Sequence, residues 1–201
     1  MKISKFLRYT LFATMALSFV ACENDDDDDD TPPAVNEEEV ITDVIFTFTD
    51  VDTQVASTFS FSDPDGEGGN VPTIDDIMLN DSSVYAMSIQ VQDASSPSDI
   101  EDITAEIQEE DDEHQFFFIL ENGAGTSVSI TYNPTDVDDD GNPIGLLSSW
   151  ATTAATLGNE TVRLVLRHEL DKDAAGVSDG DISNAGGSTD VDITFNLTVA
   201  Q

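Results

Sequence analysis

Val191-Asp192-Ile193-Thr194-Phe195-Asn196-Leu197-Thr198-Val199 alternates apolar and polar residues without a break. Successive side chains of a β-strand point to opposite faces, so this stretch reads as a strand with one dry face and one wet face. Tyr85, Met87, Ile89 and Val91 alternate in the same way with Ala86, Ser88, Gln90 and Gln92. Working outward, further strand candidates carry Ile41, Val44, Ile45, Phe46 and Phe48; Val55, Phe59 and Phe61; and Ile74, Ile77 and Leu79. Others carry Val128, Ile130 and Tyr132; residues 144–150; and Val162, Leu164 and Leu166 alternating with Arg163, Val165 and Arg167. Phe116-Phe117-Phe118-Ile119-Leu120 is apolar on both faces, which predicts a central strand. Gly, Pro, Asn and Asp punctuate these runs, as turns require.

One segment breaks the period of two. Ser98-Asp99-Ile100-Glu101 matches a capping box, and Ile103 and Ile107 follow at helical spacing. The spacing predicts a short helix over 99–109, although Ile103, Ala105 and Ile107 also alternate as a strand would. The expected fold is all-β: an antiparallel sandwich of about eight to nine strands with one short helix. An eight-stranded barrel is the alternative.

The first residues differ in kind. Lys2, Lys5 and Arg8 precede an apolar run at 9–21, which ends in the small Ala21 before Cys22, the single cysteine. A basic start, a short apolar stretch and a small residue before the cut describe a secretory signal. The run is shorter than the roughly 20 residues that span a bilayer. Phe19-Val20-Ala21-Cys22 resembles the lipobox of bacterial lipoproteins, with Phe19 where leucine is usual. The resemblance implies cleavage before Cys22 and acylation of that residue. Six aspartates at 25–30, then Thr31-Pro32-Pro33 and Glu37-Glu38-Glu39, cannot bury anything and read as a disordered tether. The expected organisation is a signal peptide at 1–21, a lipidated tether at 22–39 and a single sandwich domain at 40–201.

An acidic stretch directly after the lipobox resembles the surface-export signal of Bacteroidota lipoproteins. It implies an outer-membrane protein facing the cell surface, the periplasmic face being the alternative. Together with EEDDEHQFFF at 109–118 and the closing segment 186–199, it makes the chain similar to small acidic lipoproteins of marine flavobacteria. Their function is unknown, and some carry the label "type 1 periplasmic binding fold". That label implies repeated βαβ units and a solute-binding role, whereas helix is nearly absent from this sequence.

The chain holds 42 acidic residues against six Lys and Arg, a formal charge of −36. Such a surface excludes nucleic acid as a partner, because binding it needs a basic face. The membrane is reached through acyl chains rather than through charge.

Two acidic loops have spacing suited to calcium, which takes six to eight hard oxygen ligands around a tight turn. Asp136-Val137-Asp138-Asp139-Asp140-Gly141-Asn142 looks like the first half of an EF-hand or dockerin-type loop. Its candidate ligands are Asp136, Asp138, Asp140 and Asn142, but Leu147 stands where that family has its closing acid. In Asp63-Pro64-Asp65-Gly66-Glu67-Gly68-Gly69-Asn70 the candidates are Asp63, Asp65 and Glu67. Both stretches are also ordinary hairpin material. The two histidines, His114 and His168, lie at or near predicted strands beside Glu113 and Glu169. They would hold a transition metal or haem if those strands were neighbours.

No nucleophile elbow, His-Glu-x-x-His or phosphate-cradling loop is present. The sequence therefore predicts a non-enzymatic envelope lipoprotein, a binding or accessory module whose partner is a glycan or a cell-surface protein. Calcium-dependent glycan binding or adhesion is the second reading, with Trp150, Tyr132 and Tyr85 as its candidate stacking aromatics.

Overall fold

In the computed structural model the described residues are 40–66, 68–153 and 160–200. The expected signal peptide, Cys22, the tether and Glu67 lie outside them. The chain runs β1 (Asp43–Asp50), β2 (Ala56–Ser62), β3 (Thr73–Ile74), β4 (Ile77–Asn80), β5 (Val84–Asp93) and β6 (Glu101–Asp102). The helix α1 (Ile103–Glu109) follows, then β7 (His114–Glu121), β8 (Val128–Tyr132), β9 (Leu147–Thr152), β10 (Glu160–His168) and β11 (Ser188–Ala200).

Two sheets result. One has the order β3-β2-β1-β5-β9-β8, with β6 added beside β5; the other has the order β4-β11-β10-β7. All pairings are antiparallel except the parallel contact between β11 and β4. About 50% of the chain is strand and 8% helical, and the sheets do not close into a barrel. The fold is an all-β sandwich, as the alternating runs predict. No helix among the described residues is long and apolar enough to cross a membrane.

The core is where the dry faces meet. Phe46, Phe48, Phe116, Trp150, Leu164 and Phe195 are all fully buried. Phe46 meets Phe195 edge-on at 5.0 Å between ring centres, and Trp150 meets Phe118 at 5.7 Å, joining the two sheets. Each buried ring or branched side chain contributes about 1.5–3 kcal/mol through removal from water.

Three expectations need correction. The helix starts later than its apparent capping box: Asp102, not Ser98, accepts the N–H of Thr104, and residues 101–102 are paired to β5. The segment carrying Ile74, Ile77 and Leu79 is two strands in different sheets, because the chain crosses between them at Asp75 and Asp76. The apolar strand β7 is an edge strand paired only with β10. Its second face is dry because the segment after β10 folds back over it. Phe117 and Val165 pack there against Leu170, Val177 and Ala185, and Gln115 donates to the Val177 carbonyl at 2.8 Å.

Candidate functional site

His114 and His168 face each other across the pairing of β7 with β10, as the last register pair at one end of that sheet. His114 has the same strand parity as Phe116 and Phe118, and His168 the same as Leu166 and Leu164, so both rings enter the end of the core. They are 0% and 4% exposed. Their ring centres lie 4.4 Å apart with 19° between the planes. The neighbouring strands that a joint site requires are therefore present.

Carboxylates surround the pair. Glu110 follows the end of α1, its N–H donating to the Glu106 carbonyl, and Glu113 lies in the turn before β7. His114 Nδ1 is 3.1 Å from the Glu110 carbonyl oxygen and 3.9 Å from Glu110 Oε2. A carbonyl only accepts, so Nδ1 carries the proton, and in the neutral ring Nε2 carries the lone pair. That Nε2 lies 3.9 Å from Asp190 Oδ2. His168 Nε2 lies 3.4 Å from Glu113 Oε2. His114 Nε2 and Glu110 Oε2 are buried and have no hydrogen-bond partner among the described residues.

Asp190 approaches His114 because β11 is irregular. Leu166 pairs with Val191 and Arg167 with Thr189, which leaves Asp190 as an extra residue between them. Such a bulge re-aims a side chain that strict alternation would send outward. The Asp190 side chain is only 6% exposed. Asp190 also lines a cleft of about 320 Å³ together with Asp63, Ile41, Phe61 and Asp192. Beyond His168 the chain bends sharply: Glu169 adopts φ +51°, unusual for a residue with a side chain.

One ligand atom each from Glu110, His114 and His168 lies within 4.8 Å of the others, and the same holds for Glu113, His168 and Glu169. The side chains of Glu110 and Glu113 are 43% and 46% exposed, so the cluster meets solvent on that side.

The loop at 136–142 is arranged differently. Asp136 Oδ2 accepts the N–H groups of Gly145 at 3.0 Å and Leu147 at 2.8 Å. Burial pushes its carboxyl above the usual range, against these hydrogen bonds. Asp138 Oδ1 accepts the N–H groups of Asp140 at 3.0 Å and Asn142 at 2.8 Å, while Oδ2 is 3.3 Å from Lys172 Nζ. Burial alone would raise Asp138, but the Asn142 N–H and the Lys172 charge hold it below the usual range. Lys172 also donates to the carbonyls of Asp111 and Pro143. Burial pushes its ammonium down, and Asp138 supports the charged form. Of the candidate ligands in this loop, Asp138 is thus paired with the Lys172 ammonium. Asp140 is exposed and Asn142 half-buried, and each contributes a backbone N–H.

In the other acidic loop, Asp65 Oδ2 holds Asn70 through its backbone N–H at 2.9 Å and its side-chain amide at 2.7 Å. Asp63 lies beside Asp65 in the same loop and also borders the cleft with Asp190. The candidate glycan-stacking aromatics are inside: Trp150 is 0% and Tyr85 5% exposed. Tyr132 donates its hydroxyl to the Phe116 carbonyl at 2.7 Å, and burial pushes that hydroxyl's pKa up to about 12.

Sequence reading missed Glu110, Asp190 and Lys172. Glu110 sits in a run of acids with nothing to single it out. Asp190 looks outward-facing until the bulge is known. Comparison with family models, with curated proteins and with solved structures gives no match.

Proposed function

We propose that the chain is an exported, lipid-anchored envelope protein at the surface of an outer membrane, and that its sandwich is a non-catalytic binding or accessory module. The observation that carries this reading is the order of segments around Cys22. A basic start, a short apolar run and Ala21 precede the single cysteine, and an acidic proline-containing stretch links it to the sandwich. Acyl chains on Cys22 would supply the membrane affinity that so acidic a surface lacks.

The module reading is supported by how the acids best placed for chemistry are engaged. Asp136 and Asp138 accept backbone N–H groups and the Lys172 ammonium, which leaves them poorly suited to acid–base exchange with a substrate. The burial of Trp150 and Tyr85 takes from the glycan reading the flat exposed rings that sugars stack upon.

Fractionation of cells expressing the full chain tests the anchor. The parent should sediment with membranes and Cys22→Ser should not. A Cys22→Ser protein that stays in the membrane fraction would overturn the reading. Protease added to intact cells should degrade the parent, whereas protection would place it on the periplasmic face.

A further inference from the structure

We propose that Glu113, His168 and Glu169 form a binding site for one divalent first-row transition-metal ion, whose remaining coordination positions face water. The proposal rests on the binding-module reading and names the class of its ligand. Three observations carry it.

The first is spacing. One ligand atom from each of the three residues lies within 4.8 Å of the other two. His168 Nε2 and Glu113 Oε2 are 3.4 Å apart. That is long for a hydrogen bond between charged groups, which closes to about 2.7–2.9 Å. It matches two ligands of one tetrahedral ion, which stand about 3.4 Å apart when the bonds are about 2.0–2.1 Å. His168 is buried, which fixes its ring, and Glu169 is exposed, so its side chain is free to close on the same point.

The second is the contrast with the other histidine. Glu110, His114 and His168 are just as close together. Yet His114 Nδ1 donates its proton to the Glu110 carbonyl, and Glu110 Oε2 lies beside that same nitrogen at 3.9 Å. A nitrogen that carries a proton has no lone pair for an ion. The two rings are also stacked, with 19° between their planes. A ligating lone pair lies in the plane of its ring, so two nearly parallel rings do not aim at one ion. His114 is therefore the packing partner that holds the His168 ring, and the ion belongs on the side of Glu113 and Glu169.

The third is anchoring and ligand chemistry. The Glu110 carbonyl accepts the Glu113 N–H at 3.0 Å, which ties the turn carrying Glu113 to the end of α1. Gly187 lies so close to the His168 carbonyl and the Glu169 backbone that a side chain there would collide with them. The Asp171 N–H donates to the Ala185 carbonyl at 2.8 Å and closes the bend beyond Glu169. Two segments distant in sequence thus present their ligands from fixed backbones. A neutral imidazole and two carboxylates offer two negative charges to a doubly charged ion. The imidazole nitrogen selects transition ions over calcium and magnesium, which prefer oxygen throughout. The Glu113 side chain is 46% exposed, so the ion enters directly from solvent.

The test is titration of the full chain with zinc, in detergent, against about 10 mM calcium to occupy carboxylate-only sites such as the six aspartates at 25–30. The parent should take up one zinc ion per chain. Glu169→Gln and Glu113→Gln keep the size of exposed or part-exposed side chains, so the fold is not at risk, and each should weaken zinc by about tenfold or more. His168→Gln should abolish uptake once circular dichroism and thermal melting have shown that it is folded. Glu110→Gln alters only the other cluster and should bind zinc nearly as the parent does. Copper added in place of zinc should show hyperfine structure from a single imidazole nitrogen in its electron paramagnetic resonance spectrum. A parent that takes no zinc in calcium, or a Glu169→Gln variant that binds it as the parent does, would overturn the proposal. So would a Glu110→Gln variant weakened as much as Glu169→Gln, or a copper spectrum with two imidazole nitrogens, since either would put the ion with both histidines. The anchor reading is scored separately: a chain that fractionates with membranes through Cys22 but takes no zinc refutes only the metal site.

Discussion

The ammonium of Lys172 lies 3.3 Å from Asp138 Oδ2 and also reaches the Asp111 and Pro143 carbonyls, so a side chain of the protein itself supplies the positive charge beside Asp138. Both side chains of the pair are 4% exposed. Breaking a buried pair by removing one partner leaves an uncompensated charge, which costs about 3–5 kcal/mol. Lys172→Met should therefore lower the melting temperature sharply. It should also make stability respond to calcium at fixed high salt, where the parent responds little, because the oxygens left behind are hard ligands. An unresponsive variant would show that the turn is no cation cage. A second expectation concerns pH. Asp138 titrates below its ordinary 3.8 in the fold. Its contribution to stability is therefore complete above that value and is lost as pH falls through the lowered one. Asp138→Asn should be less stable than the parent near neutrality, and urea melts should show that gap narrowing below about pH 4. The acids of this turn were legible in the sequence as a cation-binding pattern. Lys172 was not, because only the tertiary return after β10 brings it there.

At the scale of elements, period-two runs predicted most strands, since alternation is what a half-buried sheet imposes on a sequence. Position within the sheet was less legible. Five apolar residues at 116–120 look the same whether the second face meets another layer or a folded-back loop, and here the loop at 170–185 covers it. Phe117→Ala should accordingly cost about 3–5 kcal/mol in chemical denaturation, as for a core phenylalanine, although β7 is an edge strand. The pairing of His114 with His168 was legible only as a possibility, because register depends on which strands become neighbours. The bulge that turns Asp190 inward left no mark in the alternation at all. Gly145 shows how tightly the 136–142 turn joins β7. It adopts φ +88°, and a Cβ there would come within 2.9 Å of the Phe116 carbonyl and 3.1 Å of the Tyr132 ring. Gly145→Ala combines that clash with left-handed backbone strain and should destabilise by at least about 2 kcal/mol, measured by the same denaturation.

For the whole molecule, charge dominates. A formal charge of −36 repels itself in the compact state, and the three bases of the sandwich are each engaged locally. Arg163 grips Asp192 at 2.7 and 2.6 Å, Arg167 donates to Thr189 at 2.7 Å, and Lys172 fills the turn. Melting temperature at neutral pH should rise as sodium chloride increases from about 0.01 to 0.5 M, since the screening length falls from about 30 Å to a few ångströms. A flat response would mean that the acids are too well spread for repulsion to matter. On the proposed anchoring, so acidic a surface needs a device to keep the protein at a membrane, and acylated Cys22 would be that device. Intact-mass analysis of the protein extracted from membranes of a lipoprotein-processing host tests this most directly. The account predicts a chain that begins at Cys22 and carries added diacylglycerol and acyl mass; an uncleaved chain, or one cleaved there without lipid, would contradict it.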